Sequence, residues 1–162
     1  MNIALIGYGR MGQEIEKIAV TRGHKIGLII DVNNSDDLNI ENLNKIDVAI
    51  EFTTPSSAIQ NYKVCFDANV PVVSGSTGWL EKWVEVTSYC EENNSAFFYA
   101  SNFSLGVNLF FDLNKKLAKL MKPFEQYKPE MTEVHHTKKL DAPSGTATVS
   151  YTHLTLPTIY SV

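Results

Sequence analysis

The segment Glu133-Val134-His135-His136-Thr137-Lys138-Lys139-Leu140-Asp141-Ala142-Pro143-Ser144-Gly145-Thr146 puts two histidines, two lysines and a Ser-Gly-Thr turn within a short span. Histidine is the side chain whose charge changes near neutral pH, so His135 is a candidate proton carrier. Lys139, four residues later, adds a fixed positive charge beside it. Ser144, Gly145 and Thr146 offer hydroxyls and backbone N–H groups that a ligand can approach closely, which suits a carboxylate or a phosphate. The grouping points to an anionic substrate. Lys138 reads as a solvated neighbour, and paired histidines on a strand are also common as surface or satisfied core residues, an alternative this segment alone leaves open.

Such residues need a scaffold, and the opposite end of the chain supplies one. Asn2-Ile3-Ala4-Leu5-Ile6 reads as a buried parallel strand that runs into Gly7-Tyr8-Gly9-Arg10-Met11-Gly12 and then a helix. In that setting a G-x-G-x-x-G turn is a dinucleotide fingerprint. Gly7 permits the tight turn, Gly9 lets a pyrophosphate approach the backbone, and Gly12 lets the helix pack closely on the strand. Lys25 to Ile30 forms a second apolar strand that ends at Asp31, nineteen residues after Gly12 (31 − 12), where an acid binds the ribose hydroxyls of an adenosine. A carboxylate there repels a 2′-phosphate, so NADH is expected over NADPH unless Arg10 offsets it.

The alternation continues. Asn33 to Lys45 is polar and suits a loop; Asp47 to Phe52 is a third strand, ended by Thr53-Thr54-Pro55-Ser56 with a ready helix cap; Ser57 to Asn69 has helical spacing. Val70 to Val73 is a fourth strand, followed by the turn Ser74-Gly75-Ser76-Thr77-Gly78 and a helix over Leu80 to Asn93 with Trp83 and Val86 inward. Ala96 to Ala100 is a fifth. The fold class is α/β, a Rossmann-type doubly wound parallel sheet. Ligands in such sheets collect at the carboxyl ends of the strands, so Gly7 to Gly12, Asp31, Thr53-Thr54, Gly75-Ser76-Thr77 and Ala100-Ser101-Asn102-Phe103 are expected to converge on one crevice. Leu105 to Lys122 reads as a long amphipathic helix ending before Pro123, and a strand from about Pro129 is expected to carry Glu133 and His135 on one face. The boundaries expected are 1–104 for the dinucleotide domain and 105–148 for the incomplete start of an α+β substrate domain.

At 162 residues the chain can bury one good core plus part of a second. A net charge of −4 with no basic run argues against nucleic acid and anionic membranes, and no apolar run approaches the roughly 20 residues that span a bilayer. The N-terminus opens on a core strand, so a cytoplasmic protein is expected. Cys65 and Cys90 stand singly, without metal-ligand spacing; they read as small buried hydrophobes in a reducing compartment, and no metal site is expected.

The chain resembles the 4-hydroxy-tetrahydrodipicolinate (dihydrodipicolinate) reductases of the diaminopimelate route to lysine. The resemblance covers roughly residues 1 to 148 and rests on Gly-Arg-Met-Gly at 9–12, Phe-Thr-Thr-Pro at 52–55, Gly-Ser-Thr-Gly at 75–78 and Asn-Phe-Ser-Leu-Gly-Val-Asn at 102–108. The fifth match, Glu-Val-His-His-Thr-Lys-Lys-Leu-Asp-Ala-Pro-Ser-Gly-Thr at 133–146, is the most specific. The Gly7 to Gly12 turn is one residue shorter than in many relatives. The resemblance implies hydride transfer from NAD(P)H to an unsaturated cyclic imine diacid, with protonation and net loss of water. It implies that His135 is the acid/base residue, Lys139 the proton donor, and His136, Gly145 and Thr146 the holders of the substrate carboxylates. It also implies that Gly75 to Thr77 and Ala100 to Phe103 line the nicotinamide side, and that full-length members are homo-oligomeric, as tetramers.

After Thr148 the family would continue with a helix and further strands, whereas Val149 to Val162 reads as a foreign, adapter-like tail; an edge strand ended by Pro157 is the alternative. The chain is therefore expected to be an inactive fragment that does not form the tetramer. Two other readings stay open, another dinucleotide-dependent oxidoreductase and a catalytically silent dinucleotide-binding module. The first, as a semialdehyde dehydrogenase, would want an activated cysteine; the second has no use for His-His-x-x-Lys.

Overall fold

The computed structural model describes residues 1–135 and 143–159, without the side chains of 155–159. The chain divides into two compact units, Met1–Ala100 and Ser101–Val162.

The first unit is a parallel sheet of five strands in the order β2-β1-β3-β4-β5, formed by β1 (Asn2–Ile6), β2 (Lys25–Ile30), β3 (Val48–Glu51), β4 (Val72–Ser74) and β5 (Phe97–Tyr99). Helices α1 (Arg10–Thr21), α3 (Pro55–Asp67) and α4 (Trp83–Glu92) make the crossovers. Strands in such a sheet are covered on both faces, which is why β1 reads as an unbroken apolar run and why Ile3, Ala4, Leu5 and Ile6 are all buried. The chain order reverses at β1, with β2 on one side and β3 on the other, so the carboxyl ends of β1 and β3 flank the switch point where a crevice opens.

Two cores sandwich the sheet. The larger gathers Ala4, Ile6, Ala49, Val72, Tyr62, Phe66, Trp79 and Val86, with Cys65 and Cys90 among them. The smaller packs Ile3, Leu5 and Ala19 with Ile15 and Val48. Tyr62, Trp79 and Phe97 cluster with centroids 5.0–5.7 Å apart, and Trp79 meets the other two edge to face, the geometry aromatic quadrupoles favour. Trp83, expected inward, is 42% exposed and stacks on buried Trp79 instead.

The stretch 33–45, expected as a loop, contains a 3₁₀ turn (Ser35–Asp37) and the one-turn helix α2 (Ile40–Leu43). Asn39 caps α2 by accepting the Asn42 N–H at 3.0 Å, and fully buried Leu43 pins it to the core. Polarity concealed one anchoring side chain.

The second unit contains α5 (Leu105–Met121), capped by Ser104, and α6 (Gly145–Ile159). One expectation needs correction. Residues 128–135 form no strand, because an extended segment becomes a strand only when a neighbour supplies hydrogen bonds, and no described residue does so. Residues 149–159 continue α6 across Thr148, so the edge-strand alternative for them does not hold. Once Ser144 has nucleated the helix by accepting the Ala147 N–H at 3.0 Å, each further residue except Pro157, which has no N–H, can add a backbone bond at little cost. Buried Ser150 accepts the Asn114 amide at 2.8 Å through its carbonyl, and His153 lies edge-on to Phe111, so this stretch packs on α5.

The amphipathic reading of α5 holds for spacing but not for direction. Phe111, Asn114 and Ala118 face α6 and are buried, whereas Leu105, Leu109, Leu113, Leu117 and Leu120 are exposed.

Phe66 is 1% exposed at the centre of the larger core. Phe66→Ala should destabilise the first unit by about 3–5 kcal/mol, measured by urea unfolding followed through tryptophan fluorescence.

Candidate functional site

Two adjoining clefts open at the carboxyl ends of the strands. The first, of about 490 Å³, is lined by Gly7, Tyr8, Gly9, Asp31, Val32, Ser35, Phe52, Thr53 and Thr54 among others. The second, of about 300 Å³, is lined by Gly9, Arg10, Met11, Gly12, Phe52, Thr53, Gly75, Ser76 and Thr77. Gly9, Phe52 and Thr53 belong to both and form the ridge between them.

The turn after β1 is built as a phosphate cradle requires. Gly7 sits at φ +92°, where an L side chain is strained, and a Cβ there would also strike the Phe52 carbonyl. A Cβ on Gly12 would strike the Gly7 carbonyl, so α1 packs against the turn only because position 12 is bare. Gly9 is the opposite case. Nothing lies within 4 Å of where its Cβ would be, so the backbone there faces open cleft and a pyrophosphate can approach the start of α1.

Asp31 lies at the rim of the first cleft. Its Oδ1 accepts the Val32 N–H at 2.9 Å, and Asn34 fastens the loop by accepting the Asp31 N–H at 2.8 Å and donating to the Ile29 carbonyl at 2.9 Å. Tyr8 donates its hydroxyl to Glu16, and that bond raises the phenol pKa. Gly75 stands against the ring of Phe52, where any Cβ would collide, so the turn after β4 is pressed onto the turn after β3.

Beneath the ridge lies a residue to which the sequence reading assigned no role. Glu51, the last residue of β3, is fully buried, and its carboxyl group accepts hydrogen bonds from Ser74 Oγ at 2.7 Å, Ser76 Oγ at 3.0 Å, the Thr53 N–H at 3.2 Å and the Thr53 hydroxyl. A signal was present: an acid ending an otherwise apolar buried strand, with hydroxyl residues following it and ending the neighbouring strand.

Ala100 belongs to the first unit, where its N–H donates to the Ser74 carbonyl at 3.2 Å, but it lines neither cleft. Ser101, Asn102 and Phe103 belong to the second unit. There Asn102 accepts the Ser104 N–H at 2.8 Å and donates to Thr146 Oγ1 at 3.4 Å. Gly145 and Thr146 open α6. His135 is exposed and pairs through Nε2 with Glu133 at 2.7 Å. His136 and Lys139 lie outside the described residues.

Glu133 ties this end of the second unit together. It accepts the Ser144 hydroxyl at 2.7 Å and the Ser144 N–H at 3.0 Å beside the first turn of α6. The Ser144 hydroxyl, the His135 ring and the Ser144 N–H hold its carboxyl well below the usual range, at about 2.

Neither cysteine is prepared for nucleophilic work. Burial, and then nearby Glu51, push the Cys65 thiol up to about 12, and burial also raises Cys90.

A family model described as the N-terminus of dihydrodipicolinate reductase matches residues 1–103, and one described as its C-terminus matches 106–155. The chain belongs to the dihydrodipicolinate reductase family. A 4-hydroxy-tetrahydrodipicolinate reductase of Christiangramia forsetii is 53% identical over 149 residues, which cover 91% of this chain and 61% of that protein. The Staphylococcus epidermidis reductase of the same name is 34% identical, covering 93% and 63%. The solved structure of a dipicolinate-bound dihydrodipicolinate reductase from Paenisporosarcina sp. TG-14 matches with a TM-score of 0.64 and 30% identity, over 95% of this chain and 65% of that one. The chain thus spans about three fifths of the length of these curated relatives. The match to the C-terminal model of the reductase family crosses Thr148, as α6 does.

A carboxyl whose folded pKa is depressed contributes stability that is complete above its ordinary value and is lost as pH falls through the folded one. For Glu133 that window runs from 4.5 down to about 2. The Ser144 amide proton, followed by NMR, should therefore titrate with a midpoint near 2; a midpoint near 4.5 would show that the Glu133–Ser144 bonds do not persist in solution.

Proposed function

We propose that the chain carries the cofactor site and part of the substrate site of an NAD(P)H-dependent 4-hydroxy-tetrahydrodipicolinate reductase acting in the cytoplasm. The observation that carries this reading is the pair of clefts meeting at Gly9, with a glycine cradle at one strand end and Asp31 at the next. The bare backbone at Gly9 and the open N-terminus of α1 fit a pyrophosphate, and Asp31 fits the adenosine ribose hydroxyls. NADH is the preferred cofactor, because a carboxylate on those hydroxyls opposes the extra phosphate of NADPH. Arg10, in the second cleft, is the residue that could temper that preference.

When bound, the cofactor supplies a hydride. The balanced reaction consumes that hydride and a proton, releases water from the hydroxylated cyclic imine diacid, and leaves the tetrahydro diacid with oxidised cofactor. In this reading His135 handles protons at Nδ1, since Nε2 is committed to Glu133. Lys139 donates the proton that accompanies hydride transfer, and His136, Gly145 and Thr146 hold the two carboxylates, for which several fixed donors are needed. The substrate class is a small dicarboxylate, in keeping with the dipicolinate bound to the Paenisporosarcina reductase. The whole protein would work as a homo-oligomer, a tetramer. The high thiol pKa of Cys65 disfavours a thiolate-dependent dehydrogenase as the alternative.

Asp31→Ala should lower the ratio of NADH to NADPH affinity, read by fluorescence titration of the chain with both cofactors and with Arg10 varied alongside; an unchanged ratio would refute the ribose assignment. In a chain extended to the relatives' full length, His135→Ala and Lys139→Ala should each lose about 10²–10⁴-fold in turnover while NADH affinity barely moves. Wild-type turnover in both would overturn their roles.

A further inference from the structure

The hydrogen bonds around Glu51 all run one way. Ser74 Oγ spends its only proton on Glu51 Oε2, so in the 2.7 Å contact between Tyr62 and Ser74 the phenol is the donor. Ser74 Oγ also receives the Ser76 N–H at 3.2 Å. On the other side the Thr53 hydroxyl, which donates to Glu51 Oε1, receives Ser57 Oγ at 3.1 Å and Asn61 Nδ2 at 3.3 Å. Two chains of donors, one from α3 through Ser74 and one through Thr53, therefore end on one carboxyl group with no access to solvent.

What those chains fasten is the ligand-facing surface. Thr53 forms part of the ridge shared by both clefts, and Ser76 lines the second. The Thr53 N–H also donates to Ser76 Oγ at 2.7 Å, so Glu51, Thr53 and Ser76 form a closed triangle that clamps the turn after β3 to the turn after β4. Trp79 adds a latch from behind, its indole N–H donating to the Ser76 carbonyl at 2.8 Å. The first cleft shares Thr53 with the clamp but is held at its Asp31 end by Asn34 and the glycine turn, whereas the second has its outer wall in Gly75-Ser76-Thr77.

We propose that Glu51 is a positioning residue for the cofactor: without touching the ligand, it sets the wall of the second cleft and hence the binding of the half of the dinucleotide that lies beyond Gly9 from Asp31. The proposal rests on the reading of the clefts as a dinucleotide site. It differs from a purely structural role in one measurable respect. Loss of the clamp should weaken a ligand that fills both clefts and spare one that fills only the cleft at Asp31.

The test uses residues 1–162 with NADH and with AMP as probes, titrated calorimetrically against the parent, Glu51→Gln, Ser74→Ala and Tyr62→Phe. The glutamine amide adds an N–H donor where hydroxyl donors already point, so at least one bond of the triangle or of the Ser74 chain must break. Ser74 and Tyr62 are both fully buried, so their variants cannot act by direct contact and keep the test open should Glu51→Gln not fold. Glu51→Gln and Ser74→Ala should each raise the NADH dissociation constant by about tenfold, with Tyr62→Phe weaker in the same direction, while AMP changes by less than about twofold. Folded Ser74→Ala with parental NADH affinity would overturn the proposal, as would equal losses for NADH and AMP. Failure of the parent to bind either probe would overturn the dinucleotide reading itself, an outcome distinct from a binding parent with indifferent variants.

Discussion

Phe52 occupies the space that a side chain would need at two other turns: its carbonyl fills the position of a Cβ on Gly7, and its ring fills that of a Cβ on Gly75. Three strand ends are thereby brought closer together than any residue but glycine at 7 and 75 would permit. The strand pairing enforces the same approach, because Phe52 N–H donates to the Ile6 carbonyl at 2.8 Å and Gly75 N–H to the Glu51 carbonyl at 3.0 Å. Both clefts share Phe52 in their lining, so their geometry is a consequence of this contact. The switch in strand order at β1 opens the crevice, and the glycines decide how near its walls stand.

Polar groups below that contact are treated differently from those above it. Glu51, Ser74 and Ser76 are buried and have their hydrogen bonds satisfied within the unit, as burial of a carboxyl and hydroxyls demands. Gly9 and Asp31, by contrast, face open cleft or solvent. A rigid, internally satisfied floor beneath an open, polar rim is the arrangement that lets a site select a ligand without collapsing on itself.

Much of the first unit was legible because its code is local and redundant. Five apolar runs of strand length, most of them ended by glycine or hydroxyl residues and separated by stretches of helical spacing, admit few arrangements other than a parallel sheet, and the first fingerprint turn stands where that sheet needs it. What escaped the sequence is what depends on partners far away in the chain. Glu51 resembles any strand-end acid until Ser74 and Ser76 are placed beside it. The segment before Glu133, expected as a strand, has no described neighbour to pair with, and α5 has the right spacing yet turns Phe111, Asn114 and Ala118, not its leucines, toward α6. Residues 149–159 illustrate the reverse: foreign in appearance, they extend a helix that Ser144 has started, and the match to the C-terminal family model runs on to residue 155. His136 and Lys139 lie outside the described residues, so the described geometry of that segment rests on Glu133, His135 and Ser144.

A single dinucleotide lying across both clefts would leave its mark on amide hydrogen exchange of residues 1–162 measured with and without saturating NADH. Exchange should slow in 7–12, 31–35, 53–54 and 75–77 together, with β2 and β4 interiors unchanged because they are already protected. Protection confined to one of those turns, or appearing only elsewhere in the chain, would contradict it.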